Sequence, residues 1–273
     1  MENFRINIKY LFATTFFLVS CANFSAYFNT FYNAKEQFKQ AEVIRKKSEK
    51  NKLPKGALDL YQNSIEKSKY ILSEYPEVDF RKEAYLLIIK SHFFRSEYLE
   101  TNQAISEMRL EFENELTYDI AYWTALVKWK EGRTQPAINS LIDLSNSKIN
   151  KSLQSKIYLS IAEIYFEQNL NDKSMDYLEL AAKAIKDRSE KDQIYYRIAD
   201  LSFKQGDYNR SMEAYKQVIK NTQIKSRMQL SNLKIVQIYR LQDQYNLASN
   251  SIKTMLTDEA YQSIYPALEL ELA

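Results

Sequence analysis

Glycine is scarce in this chain of 273 residues, with three in all, Gly56, Gly132 and Gly206, far apart from one another. That excludes a glycine-rich loop able to cradle phosphate with bare backbone amides. There is one histidine, His92, and one cysteine, Cys21, so neither a histidine-rich nor a thiolate metal site can be assembled and no disulfide can close within the chain. No serine has a histidine close by in sequence or the glycine frame of a nucleophile elbow. Glu111, Glu113 and Glu115 are spaced by two and do not share a helical face. These absences argue against an enzyme and against any cofactor or metal. Charge of one sign is also lacking, since 38 Lys and Arg stand against 35 Asp and Glu and alternate along nearly every segment. A nucleic-acid footprint needs its cations gathered on one face, so no nucleic-acid partner is expected. Four prolines (Pro54, Pro76, Pro136, Pro266) leave long stretches without a helix breaker. What remains is an all-α composition, 45% hydrophobic, long enough to bury a sizeable core.

The dominant pattern is internal. Slid against itself by 37 residues, the sequence carries Ala125 onto Ala162, Ala199 and Val236, and Gly132 onto Asn169, Gly206 and Asp243. The same step carries Ala137 onto Ser174, Ser211 and Ala248, and Leu141 onto Leu178, Tyr215 and Ile252. Each copy reads as helix, tight turn, helix, most clearly over Asp192 to Lys220 with the turn at Lys204-Gln205-Gly206-Asp207-Tyr208. A period of this size predicts a solenoid, because no such unit buries its apolar face alone and neighbours must stack. Helix pairs are expected near 81–112 (one residue short of the full step), 117–146, 151–186, 189–220 and 225–256. The small residues at 125, 162 and 199 should face those at 137, 174 and 211, as close antiparallel helices require. An earlier helix, 57–75, ends at Tyr75-Pro76, because proline disfavours helical geometry in the residue before it. His92 reads as a packed helix histidine.

The turn Lys204-Gln205-Gly206-Asp207-Tyr208-Asn209 resembles the inter-helix turn of tetratricopeptide repeats, and the resemblance covers about residues 57–257. The chain departs from that family in its longer period, in carrying Ala121, Tyr158 or Tyr195 where tryptophan is usual, and in lacking the helix-ending proline in the later repeats. The resemblance implies a right-handed α-solenoid whose first helices line a groove for protein partners. On that alignment one groove column reads Phe93, Trp129, Phe166, Phe203, Arg240 and its neighbour Leu86, Tyr122, Leu159, Tyr196, Leu233. Beside them stand Lys90, Lys130, Glu163, Glu167, Asp200 and Lys204. An aromatic ladder flanked by mixed charges suits an extended or helical peptide, its apolar anchors filling pockets while charges fix register. The competing reading is that these rings only pack one first helix on the next.

The N-terminus reads as a targeting segment. Arg5 and Lys9 precede an apolar run from Tyr10 to Val19, whose end overlaps Leu18-Val19-Ser20-Cys21. The last four residues resemble the lipobox of bacterial lipoproteins, which implies a signal peptide over 1–20, lipid attachment at Cys21 and, with Ala22 next, transfer to the outer membrane facing the periplasm. A plain secretory signal or a retained inner-membrane helix are the alternatives, the latter because residues 10–34 carry no charge. Residues 21–56 then form the lipid anchor and an N-terminal capping helix, with apolar residues from Phe24 to Ile44 at spacings of three and four. The repeat solenoid occupies 57–273. Its tail from Tyr265 to Ala273 reads as half a repeat, which implies a longer protein or a partner covering this end. The run from Tyr70 to Tyr85 around Tyr75-Pro76 is similar to BamD-like lipoproteins, which serve the machinery that folds β-barrels into the outer membrane. The implied function is a non-catalytic scaffold for other envelope proteins in outer-membrane protein assembly. The alternatives are a scaffold of a secretion or gliding apparatus, or a lipoprotein binding peptidoglycan or another glycan.

Overall fold

The computed structural model describes residues 26–48, 53–112 and 117–272, with side chains from residue 29 in the first stretch and 118 in the last. The signal segment 1–20, Cys21 and Ala273 lie outside the described residues. Those described form helices and turns, with no strand among them. A π-helical turn, Ala26–Phe31, runs into α1 (Tyr32–Lys47). Then come α2 (Lys55–Glu74), α3 (Arg81–Phe94), α4 (Tyr98–Phe112), α5 (Thr117–Lys130) and α6 (Thr134–Ser145). The later pairs are α7 (Lys151–Glu167) with α8 (Asn171–Ala184), α9 (Arg188–Gln205) with α10 (Tyr208–Asn221), and α11 (Lys225–Leu241) with α12 (Tyr245–Leu256). A 3₁₀ turn, Glu259–Ile264, precedes α13 (Tyr265–Leu272). The all-α, tetratricopeptide-like arrangement of repeated helix pairs is therefore the observed fold class. The chain divides into two compact units, Met1–Ala137 and Ile138–Ala273, with the boundary inside α6.

The turn within each pair has one geometry. Ser96, Gly132, Asn169, Gly206 and Asp243 all adopt left-handed backbone, with φ of 64°, 84°, 60°, 80° and 59°. The residue after each donates its N–H to the carbonyl five positions back, as in Asp207 to Ser202 at 3.0 Å and Leu170 to Tyr165 at 2.9 Å. This is the Schellman closure, which satisfies carbonyls left orphaned at a helix end and needs one residue of positive φ. Glycine enters that region freely, and asparagine and aspartate at modest cost. The recurrence of Gly, Asn and Asp in one sequence column therefore has a backbone cause. At their starts α7, α9 and α10 are capped by side chains. Asn150 accepts from Leu153 N–H, Asp187 from Glu190 N–H and Asp207 from Arg210 N–H.

In unit 1, α1 packs on α2 and α3. Phe31, Ala34, Ile71, Val78, Ala84 and Leu87 form one buried cluster, and Ala41, Ala57 and Tyr61 another. Phe31 stacks on Phe80 with centroids 4.5 Å apart, and Ser64 Oγ donates to the Ala34 carbonyl at 2.9 Å. The Tyr75-Pro76 turn ends α2 as its sequence requires. Arg81 donates to the Leu72 and Tyr75 carbonyls there, placing a cation at the negative end of the helix.

In unit 2 the small column meets its partner by hydrogen bond as well as by size. Ser174 Oγ donates to the Ala162 carbonyl at 2.8 Å, and Ser211 Oγ to the Ala199 carbonyl at 2.9 Å, with all four residues fully buried. Leu178, Tyr215 and Ile252 sit one turn further along the second helices and are equally inaccessible. Each such side chain removed from water contributes about 1.5–3 kcal/mol. A second buried column, Ser155, Asp192 and Gln229 at the same 37-residue step, is polar. Ser155 Oγ donates to the Ala181 carbonyl, Asp192 accepts from Thr222 and from Arg227 Nη1 at 2.6 Å, and Gln229 donates to the Ala260 carbonyl.

Candidate partner-binding surface

The ladder residues fall into two settings. In unit 1, Phe93 and Tyr122 are buried at 8% and 9% exposure, while Leu86 and Trp129 are half-buried. Phe93 meets Trp123 edge-on at 5.4 Å, and Tyr122 meets the same indole at 5.3 Å. These two rings are held in the packing of unit 1 and present little surface to a partner. Lys130 Nζ lies 3.4 Å from the centroid of Trp129. Trp123 is the hub of this cluster, and because it lies outside the columns of the repeat the 37-residue step carries no signal for it. His92 is buried as expected. Its Nδ1 is 2.7 Å from Glu97 Oε2, and Arg95 donates both to Glu97 and to the Leu58 carbonyl, so the histidine is fixed at the start of the α3–α4 turn.

Two further polar groupings of unit 1 have structural roles. Tyr61 donates to Glu42, which also pairs with Arg45 at 2.8 Å, and the Arg45 guanidinium lies 4.1 Å over the Phe94 ring. Burial pushes the Tyr61 hydroxyl up, and the carboxylate beside it adds to the shift. Glu111 receives the Nε and Nη2 donors of Arg81 together with the Tyr85 hydroxyl. The Arg81 guanidinium holds Glu111 below the usual carboxylate range, and burial with that carboxylate pushes Tyr85 up to about 12.

In unit 2, Phe166 is 38% exposed, Arg240 is exposed, and Leu159, Tyr196, Phe203 and Leu233 are half-buried. Their rings are not bare. The Arg197 guanidinium lies 5.0 Å from the centroid of Phe166, and Lys234 Nζ lies 4.5 Å from that of Phe203. Each cation follows its ring by the same 31 positions that separate Arg240 from Glu271, and there the rung becomes an ion pair. The Arg227 guanidinium lies 5.5 Å from Tyr196. The flanking charges are engaged too. Arg197 pairs with Glu163 at 2.9 Å, and Lys204 with Asp200 at 2.8 Å, a contact that holds the lysine above its usual value. The cations over Phe166, Tyr196 and Phe203 come from the next first helix, so these rungs tie successive pairs together. Exposed cation–aromatic contacts of this kind are worth about 0.5–1 kcal/mol.

Among the described residues no three metal-ligating side chains come together, and no helix is long and apolar enough to cross a membrane. The face carries half-buried apolar side chains in one column and paired charges beside them.

A family model, the tetratricopeptide repeat, matches residues 155–188 and 192–223. No curated protein matches. Among solved structures, a Rap protein complexed with competence and sporulation factor is similar with a TM-score of 0.53 at 14% identity, over 90% of this chain and 74% of its own. The apo form of RapI is similar with a TM-score of 0.52 at 13% identity, over 88% of this chain and 69% of its own. A signal-transduction ATPase with a tetratricopeptide repeat sensor from Pyrococcus horikoshii scores 0.51 at 12% identity, and this chain spans 39% of its length. At these identities the likeness is one of fold.

Proposed function

We propose that this array of tetratricopeptide-type helix pairs is a non-catalytic protein-binding scaffold, held by lipid at Cys21 on the periplasmic face of the outer membrane and working in outer-membrane protein assembly. The observation that carries the scaffold reading is the first-helix face of unit 2. There Phe166 stands 38% exposed beside the Leu159, Tyr196, Leu233 column, framed by the Arg197–Glu163 and Lys204–Asp200 pairs. Apolar anchors fill such gaps while fixed charges set register. A Rap protein of similar fold was solved holding competence and sporulation factor, which supports the reading by analogy of fold alone. The envelope assignment rests on Leu18-Val19-Ser20-Cys21-Ala22 and on the BamD-like run from Tyr70 to Tyr85.

The test is photo-crosslinking in native membranes from residues replacing Trp129, Phe166 and Phe203, with mass spectrometry of what is captured. Adducts to a β-barrel assembly component are expected. Adducts to secretion components would transfer the scaffold to that apparatus, and none from any position would sink the groove. Replacing Cys21 by serine should move the protein from the outer-membrane to the soluble fraction; unchanged fractionation would overturn lipid anchoring.

A further inference from the structure

The repeat changes character at one point on this face, and a cleft lies there. Phe166 and Phe203 give way to Arg240 in their column, and in the next column Glu167 and Lys204 give way to Leu241. Leu241 is 54% exposed, and the nearby Tyr245, which keeps the tyrosine its column carries at Tyr208, is 60% exposed. With Phe203, Gln237, Arg240 and Glu271 they line a cleft of about 360 Å³ in unit 2. A sequence that breaks its own repeat without a packing gain marks a place shaped by something else.

The polar groups of the cleft are half-engaged. Glu271 uses both oxygens, accepting from Gln237 Nε2 at 2.7 Å and from Arg240 Nη1. The Nε and Nη2 donors of Arg240 have no hydrogen-bond partner among the described residues. A guanidinium steadied on one edge keeps its other edge for a second, bidentate acceptor, and carboxylate matches that fork best. Lys234, over the Phe203 ring, adds a second cation, and Glu271 is the acid among the residues lining the cleft. The far lip is apolar at Leu241 and Tyr245, whose hydroxyl is tied back to Asp243 at 2.8 Å. Asp243 disfavours an acid at that end and so sets a direction across the cleft.

We infer that this cleft receives a segment of a partner protein in which an acidic side chain stands beside a bulky apolar one, the carboxylate on Arg240 and the apolar group against Leu241 and Tyr245. This rests on the scaffold reading and names the kind of partner sequence it takes. The test pans a phage-displayed random peptide library on the full chain and measures the enriched clones against Arg240→Gln, Leu241→Ser and Phe166→Ser variants whose melting temperatures match the parent. Both cleft positions are exposed, so their variants should fold. Enriched peptides should carry Asp or Glu beside Phe, Leu or Trp, and lose about tenfold in affinity on Arg240→Gln and on Leu241→Ser. Clones without an acid, or with undiminished affinity for Arg240→Gln, overturn the inference. If such clones weaken on Phe166→Ser, the scaffold reading survives, whereas no enrichment at all removes both.

Discussion

Ser174 and Ser211 show what a small buried residue does in this fold. Each lets two helices approach and also donates to a carbonyl of the facing helix, at 2.8 and 2.9 Å. Ala248 occupies the same column in the next pair, fully packed and without that bond, so close approach matters more than the hydroxyl. Ser211→Ala is therefore expected to cost about 1 kcal/mol and Ser211→Leu about 3, from overpacking, both read by chemical denaturation. Similar costs for the two would show that the contact is not size-limited. Glu111 gives a pH dependence. Its pKa is lowered in the folded chain, chiefly by Arg81, so its contribution is present above its ordinary value of 4.5 and is lost as pH falls through the lower folded value. Glu111→Gln should flatten the acid limb of the stability curve below about pH 4.5; an unchanged limb would show that the pair contributes nothing. The small column was legible in the sequence because it recurs at one step. The Arg81–Glu111 contact was not, since nothing in the spacing of two charges tells which helices meet.

At the scale of the element, the turns carry the clearest signal. Gly206 has open space where a Cβ would be added, so only its φ of 80° opposes substitution. Gly206→Ala should destabilise by about 1 kcal/mol and Gly206→Asn by less, while Asn169→Gly should be neutral or stabilising. Thermal melts of the three variants check the order, and a destabilised Asn169→Gly would show that the asparagine side chain, and not the backbone, matters. The ladder was half legible. Its residue types were readable, but their settings were not, because Phe93 and Tyr122 are drawn in by Trp123, which has no counterpart in the other repeats. Cations over Phe166 and Phe203 come from the following repeat, a spacing that hydrophobic periodicity does not register.

For the whole molecule, the contacts divide by reach. The Ser174 and Ser211 bonds to facing carbonyls close over 12 residues and stay within a pair, while the rungs at Phe166 and Phe203 span to the next pair. All of them repeat in step with the same 37-residue interval. Chain length is thus quantised: the array can lose or gain a whole cassette and re-form both kinds of contact, but not a fraction of one. Excising residues 172–208 would set Phe166 against Lys234 and return Asn169 to a turn of the same geometry. That shortened chain should melt cooperatively by circular dichroism, whereas an excision one helical turn longer or shorter should not. Number of repeats then becomes a property a lineage can change in single events, leaving each remaining surface intact.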